Sequence, residues 1–132
     1  MARSETPQSG FTLLEVLVAF VILAGTLGVM MRINAQALDT SMRAAERQQA
    51  LMLAESQLDR VLARSDLLPG TERGDFELDG FRWQLEVSPF TFPGQEELVM
   101  ESRIIPYRID ISVYWGAASE LQLTTLRLGV AP

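Results

Sequence analysis

The sequence predicts an α+β fold in which one long N-terminal helix packs on a small antiparallel β-sheet domain. Three observations predict it. No proline occurs between Pro7 and Pro69, so nothing there forces a break in a helix. Within that stretch an apolar run passes without interruption into a pattern of helical period. After Pro69 the pattern changes to alternation in steps of two, punctuated by Gly and Pro, which marks strands and turns.

Residues 1–9, MARSETPQS, are polar and contain Pro7, and they read as a leader rather than part of a fold. Arg3 gives this stretch a positive start that Glu5 offsets. From Phe11 to Met31 the chain is apolar, and Glu15 is its one charge. A helix of that length is about 32 Å long at ~1.5 Å per residue, enough to span a bilayer core. Its twelve Leu, Ile, Val and Phe residues contribute roughly −4 to −7 kcal/mol to insertion. Glu15 lies near one end, where a charge costs less than at the helix centre, so insertion stays favourable. Ala24 and Gly28 are spaced to let another helix approach closely, with Gly25 beside them. The same residues also fit a reading as merely tolerated small side chains.

Beyond Arg32 the segment turns amphipathic. Leu38, Met42 and Ala45, then Leu51, Ala54, Leu58, Val61 and Leu62, keep the helical period. Arg43, Glu46, Arg47, Glu55, Asp59, Arg60 and Arg64 occupy the other sides. One helix is expected from Phe11 to about Arg64, near 80 Å long at ~1.5 Å per residue, stopped by Leu67-Leu68-Pro69-Gly70. The sheet is expected to cover it around Leu51 to Leu62.

Asp79-Gly80 suits a two-residue type I′ hairpin turn, which would set Leu78 opposite Phe81, Glu77 opposite Arg82 and Phe76 opposite Trp83. Phe81, Trp83, Leu85 and Val87 alternate, so one face of that strand is buried. Ser88 to Pro106 contains Pro89, Pro93 and Gly94 and reads as an irregular excursion, with Leu98, Val99 and Met100 as a brief element inside it. A surface loop and a partner-binding loop both fit it. Tyr107, Ile109, Ile111, Val113 and Trp115 form the clearest strand, and Gly116 to Glu120 turn the chain. In the last strand Leu121 and Leu123 have one parity, Leu126 and Leu128 the other, and a bulge near Thr124-Thr125 would reconcile them.

Composition narrows the function. The 132 residues contain no Cys and no His, and every basic residue is Arg. Thiolate and His-based metal sites, His-dependent nucleophilic triads and Schiff-base lysines are therefore excluded. An enzyme is not expected, and no cofactor or metal is. Of the net charge of −6, residues 66–132 carry all of it, with eleven acids against five arginines. Such a surface repels phosphate backbones, so no nucleic-acid partner is expected.

The stretch GFTLLEVLVA, residues 10–19, closely resembles the N-terminal signal of type IV pilins and type II secretion pseudopilins. The resemblance implies a pilin-like fold. It also implies that a prepilin peptidase cuts between Gly10 and Phe11 and N-methylates Phe11. Glu15 then becomes the fifth residue of the mature chain, where the family keeps a glutamate for assembly. That carboxylate would pair with the methylated amino group of Phe11, its own or a neighbour's, or else simply snorkel to the headgroups. The implied organisation is a leader at 1–10, a transmembrane half-helix at 11–31, an amphipathic half-helix at 32–65 and a periplasmic β domain at 66–132. The protein would be a single-pass inner-membrane protein.

Chain size, the helix around LMLAESQLDRV (51–61) and a Trp strand followed by one ending in Tyr-Trp are similar to the minor pseudopilins of type II secretion. The implied partners are the other minor pseudopilins of a tip complex and the major pseudopilin. The implied function is to initiate or cap the periplasmic pseudopilus that drives export across the outer membrane. No clustered Asp/Asn loop of the calcium-binding kind is present; Glu96, Glu97 and Glu101 lie in an unpatterned stretch. A minor pilin of a type IV pilus is the alternative, with the same physics in a different machine. A secretory signal peptide cut after Ala35-Gln36-Ala37 fits less well, because the apolar run is long, Glu15 interrupts it and Arg32 precedes the cut.

Overall fold

A computed structural model describes Gly10, residues 12–94 and residues 103–131. One α-helix, α1 (Leu13–Leu62), is followed by four strands, β1 (Gly70–Asp75), β2 (Phe81–Pro89), β3 (Ile104–Trp115) and β4 (Ser119–Val130). The strands form one antiparallel sheet in the order β1-β2-β3-β4. By its internal contacts the chain divides into two compact units, one reaching to Arg43 and one starting at Ala44.

In the first unit every described residue is exposed, including Leu13, Phe20, Leu23 and Met31. The apolar part of α1 is long and apolar enough to cross a membrane. Its one hydroxyl inside the helical run, Thr26 Oγ1, donates to the Ile22 carbonyl at 2.8 Å, so no side-chain donor there is left for lipid to solvate.

In the second unit the rest of α1 lays Ala50, Ala54, Gln57 and Val61 on the sheet. Two alanines in that row let the helix backbone come close to the strands. Opposite them lie Phe81, Leu85 and Val87 of β2, Tyr107, Ile109, Ile111, Val113 and Trp115 of β3, and Leu121 of β4. Burying each large side chain of this set contributes roughly 1.5–3 kcal/mol. Phe81 and Trp115 face each other in the ladder and stack with centroids 6.1 Å apart. The covered part of the helix is thus the one expected, but Gln57 takes a seat on the buried face and Leu62 is partly exposed.

Several expectations are corrected. The helix ends at Leu62 rather than Arg64, ahead of the Leu-Leu-Pro-Gly stop. The first hairpin is not closed by a two-residue turn. Its ladder runs from Gly70 opposite Val87 to Asp75 opposite Arg82, and Phe76 to Gly80 form the loop. Asp79-Gly80 do turn the chain, with Phe81 N–H donating to the Leu78 carbonyl at 3.3 Å. A type I′ turn needs positive φ at both central residues, and Gly80 alone has it, at 86°. Opposite Trp83 stands Gly74, not Phe76. A Cβ on Gly74 would lie 2.7 Å from Trp83 Cζ2, so the indole occupies the space a side chain there would fill.

The irregular stretch is shorter than Ser88 to Pro106. Ser88 and Pro89 end β2, and Ile104 to Pro106 begin β3. Leu98, Val99 and Met100 lie outside the described residues. The last hairpin also turns more tightly than expected, because Ser119 and Glu120 already belong to β4. No bulge interrupts β4: its register with β3 is continuous from Ile104 opposite Val130 to Trp115 opposite Ser119. Leu126 and Leu128 have the other parity because they sit on the outer face of the sheet, 45% and 69% exposed. At the centre of that face Asp110 is buried; its carboxylate accepts from Thr124 Oγ1 and pairs with Arg108 Nε at 2.8 Å.

Where the helix ends, three segments of the second unit are tied together. Arg64 donates from both terminal nitrogens to the two Glu72 oxygens of β1, at 2.9 and 3.0 Å. Arg127 of β4 donates to the Arg64 carbonyl at 3.0 Å. A guanidinium there also suits the negative end of the helix dipole.

Candidate functional site

The residues singled out by sequence gather at the start of α1. Thr12 is the N-cap. Its Oγ1 accepts the Glu15 backbone N–H at 3.3 Å, while Glu15 Oε2 accepts the Thr12 N–H at 3.2 Å. This reciprocal pair is a capping box, and it satisfies two donors that a helix start would otherwise leave open. It also holds the Glu15 carboxylate back toward the amino-terminal rim of the helix, at the positive end of the dipole. Thr12 escaped the sequence reading, although Thr12-Leu13-Leu14-Glu15 has the [ST]-x-x-E spacing that signals such a box.

Gly10 is exposed, and a Cβ built on it would meet nothing within 4 Å. The packing of this chain therefore places no steric demand for glycine at that position. Phe11 lies outside the described residues, and so do residues 1–9 and the acidic Glu96, Glu97 and Glu101. Gly25 and Gly28 likewise have open space where a Cβ would stand. Ala24, Gly25 and Gly28 leave the helix surface low at that level, the shape a neighbouring helix can use.

Among the described residues no group of Asp and Glu side chains is arranged to hold a metal ion. Among the described residues at the helix start, Thr12 Oγ1 and the Glu15 carboxylate both serve as acceptors of backbone N–H groups. What this arrangement offers is a carboxylate held by the Thr12 N–H at the start of an apolar helix.

The prokaryotic N-terminal methylation motif matches residues 6–24. Over 128 residues, 94% of this chain and 93% of the relative, the sequence is 30% identical to a type II secretion system protein I from Xanthomonas campestris pv. campestris. A type II secretion system protein I from Pseudomonas aeruginosa is 33% identical over 76 residues, 57% of this chain and 59% of that relative. No solved structure matches the chain significantly. The methylation motif alone is shared with type IV pilins, but the similarity to protein I runs through helix and sheet alike, and the chain belongs to the type II secretion system protein I family, the GspI minor pseudopilins.

Proposed function

We propose that this chain is made as a precursor whose residues 1–10 are removed by a prepilin peptidase, which cuts between Gly10 and Phe11 and N-methylates Phe11. The observation that carries this reading is the methylation motif at 6–24 lying directly on the start of an apolar helix, in a chain similar to protein I along nearly its whole length. Because Gly10 meets nothing in its own chain, the need for glycine falls on the enzyme that must grip the backbone there.

In the mature protein residues 11–31 anchor the chain in the inner membrane, 32–65 form the amphipathic half of the helix, and the β domain at 66–132 lies in the periplasm. Glu15 acts in assembly. The capping box already aims its carboxylate at the helix start, where cleavage creates the cationic amine of Phe11. In lipid such a pair depends steeply on distance, which suits it to setting the axial position of a subunit. The partners are the other minor pseudopilins of the tip and the major pseudopilin, reached through the exposed helix between Leu13 and Ala45. The role is structural rather than catalytic.

Mass spectrometry of the protein purified from membranes tests the core of this reading. The expected product begins at Phe11 and carries one added methyl group. A product beginning at Leu38 would instead identify a secreted protein released by signal peptidase and would overturn the proposal.

A further inference from the structure

We infer that the free edge of β4 is a second docking surface, separate from the helix, and that it takes an extended strand of an acidic partner protein. The inference rests on the pseudopilin reading above, since the partner is sought within the same assembly. β4 is the outermost strand, and the described residues place no strand on its other side. The phase of its ladder follows from two bonds. Ala131 N–H donates to the Arg103 carbonyl at 2.8 Å, one step beyond the pair Ile104 and Val130. Bonded and non-bonded pairs alternate in an antiparallel ladder, so the odd-numbered residues of β4 bond to β3. Phe90 N–H donating to the Pro106 carbonyl agrees, because it turns the even-numbered residues of β3 toward β2. The even-numbered residues of β4, from Glu120 to Leu128, therefore direct their N–H and C=O groups to the open side.

Toward the end of the strand the same residues carry apolar side chains on the outer face. Leu126 and Leu128 are exposed there, continued by Val130, whose carbonyl is taken by Tyr107 Oη at 3.2 Å. Backbone donors and acceptors thus coincide with apolar side chains at alternate positions, the two features that strand addition uses. Edges of this length are usually blunted by proline, a bulge or charge. β4 has no proline and no bulge, and Glu120, at its far end, is the one charged residue on its outer face.

Charge selects the occupant. Three of the five arginines in residues 66–132, namely Arg103, Arg108 and Arg127, gather at this end of the sheet. Arg108 stands opposite Leu126 and is paired with Asp110. Arg103 and Arg127 have no carboxylate partner among the described residues. A second copy paired antiparallel about Leu128, apolar against apolar, would bring its own Arg127 beside this one and meet like with like. A strand with apolar residues at alternate positions and carboxylates beside them meets both demands.

The chain has no cysteine, so single cysteines report cleanly. Thr124→Cys and Leu128→Cys on the open edge, and Thr71→Cys on β1 as control, are labelled with a maleimide in the full-length membrane protein. Each is labelled once with the complete secretion machinery and once with the chain produced alone. Loss of most of the labelling at 124 and 128 only when the machinery is present, with 71 unchanged, is expected. Adding Arg103→Glu is expected to restore that labelling. Equal labelling in both settings would overturn the inference. So would protection in the chain alone, which means its own residues cover the edge, and so would disulfide-linked pairs of Leu128→Cys, which mean a second copy. Labelling at 124 and 128 that stays lost despite Arg103→Glu would overturn the acidic partner. Secretion supported by the cysteine-free parent, with a mature start at Phe11, assigns any such failure to the edge and not to the pseudopilin reading.

Discussion

Trp83 lies with its indole across Gly74, the residue directly opposite it in the β1–β2 ladder. A methyl group at 74 would stand 2.7 Å from the ring, closer than real Cβ contacts come, so the indole or the strand must shift to admit it. Gly74→Ala is expected to destabilise the domain by about 1–3 kcal/mol, as overpacking does. The checks are a lower thermal midpoint and an altered near-ultraviolet circular dichroism spectrum. An unchanged midpoint would show that the indole moves freely.

The Arg64–Glu72 pair gives a pH dependence of definite sign. The Arg64 guanidinium, bonded to both oxygens, holds the Glu72 carboxyl below its ordinary value. A lowered folded-state pKa contributes stability that is present above the unfolded value and lost as pH falls through the folded one. Both side chains are 40% or more exposed, so the pair is worth only about 0.5 kcal/mol. Glu72→Gln is expected to lower the thermal midpoint slightly at neutral pH and not at all well below pH 4, measured on the detergent-solubilised chain.

Gly10→Val is expected to leave the leader attached. The substitution meets nothing in the chain itself, so membrane insertion and the fold of the β domain stay as they were. Gel mobility and the intact mass read the outcome, and a normally trimmed product would show that the peptidase does not need glycine before its cut.

Glu15→Ala removes the carboxylate from the capping box and from the assembly contact proposed for it. Loss of the box costs about 1 kcal/mol of local helix stability. The helix start frays, but the apolar residues of α1 up to Met31 are expected to keep the chain inserted. Cleavage is expected to continue while incorporation into the pseudopilus and secretion fall. Thr12→Ala separates the two roles: it breaks the box, keeps the charge, and is expected to secrete better than Glu15→Ala. Equal defects in the two would assign the effect to the cap alone.

The helix, its apolar first half and the buried faces of β2 and β3 were legible in the sequence because each has a long, regular apolar pattern. Phe81, Leu85 and Val87 alternate, as do Tyr107 to Trp115, and the structure buries them. β1 was not legible. Its residues, GTERGD, include no large apolar side chain, and the strand is fixed by its neighbour and by Arg64 rather than by its own pattern. The hairpin was misread because Asp-Gly is a strong local signal, while the room Trp83 needs is a tertiary fact that only Gly74 betrays. Leu126 and Leu128 suggested a bulge because every leucine was assumed to face the core. At the helix start, Glu15 and Gly10 stood out by chemistry, whereas Thr12 looked like an ordinary helix residue beside them.

The strand order of the sheet bears on how quickly the domain forms. Every strand pairs with the strand next to it in the chain, so no contact within the sheet requires a crossover. The connections run from the three residues between β3 and β4 to the fourteen between β2 and β3. That difference, a little over two doublings of length, adds about 1.3 kcal/mol of closure entropy. Folding of the sheet is therefore expected to run as closures between strands that are neighbours in the chain. The one expensive step joins β2 to β3, the two strands that bring most of the core. Substitutions in the Phe81–Trp115 stack should slow folding, whereas those in β1 should mainly speed unfolding.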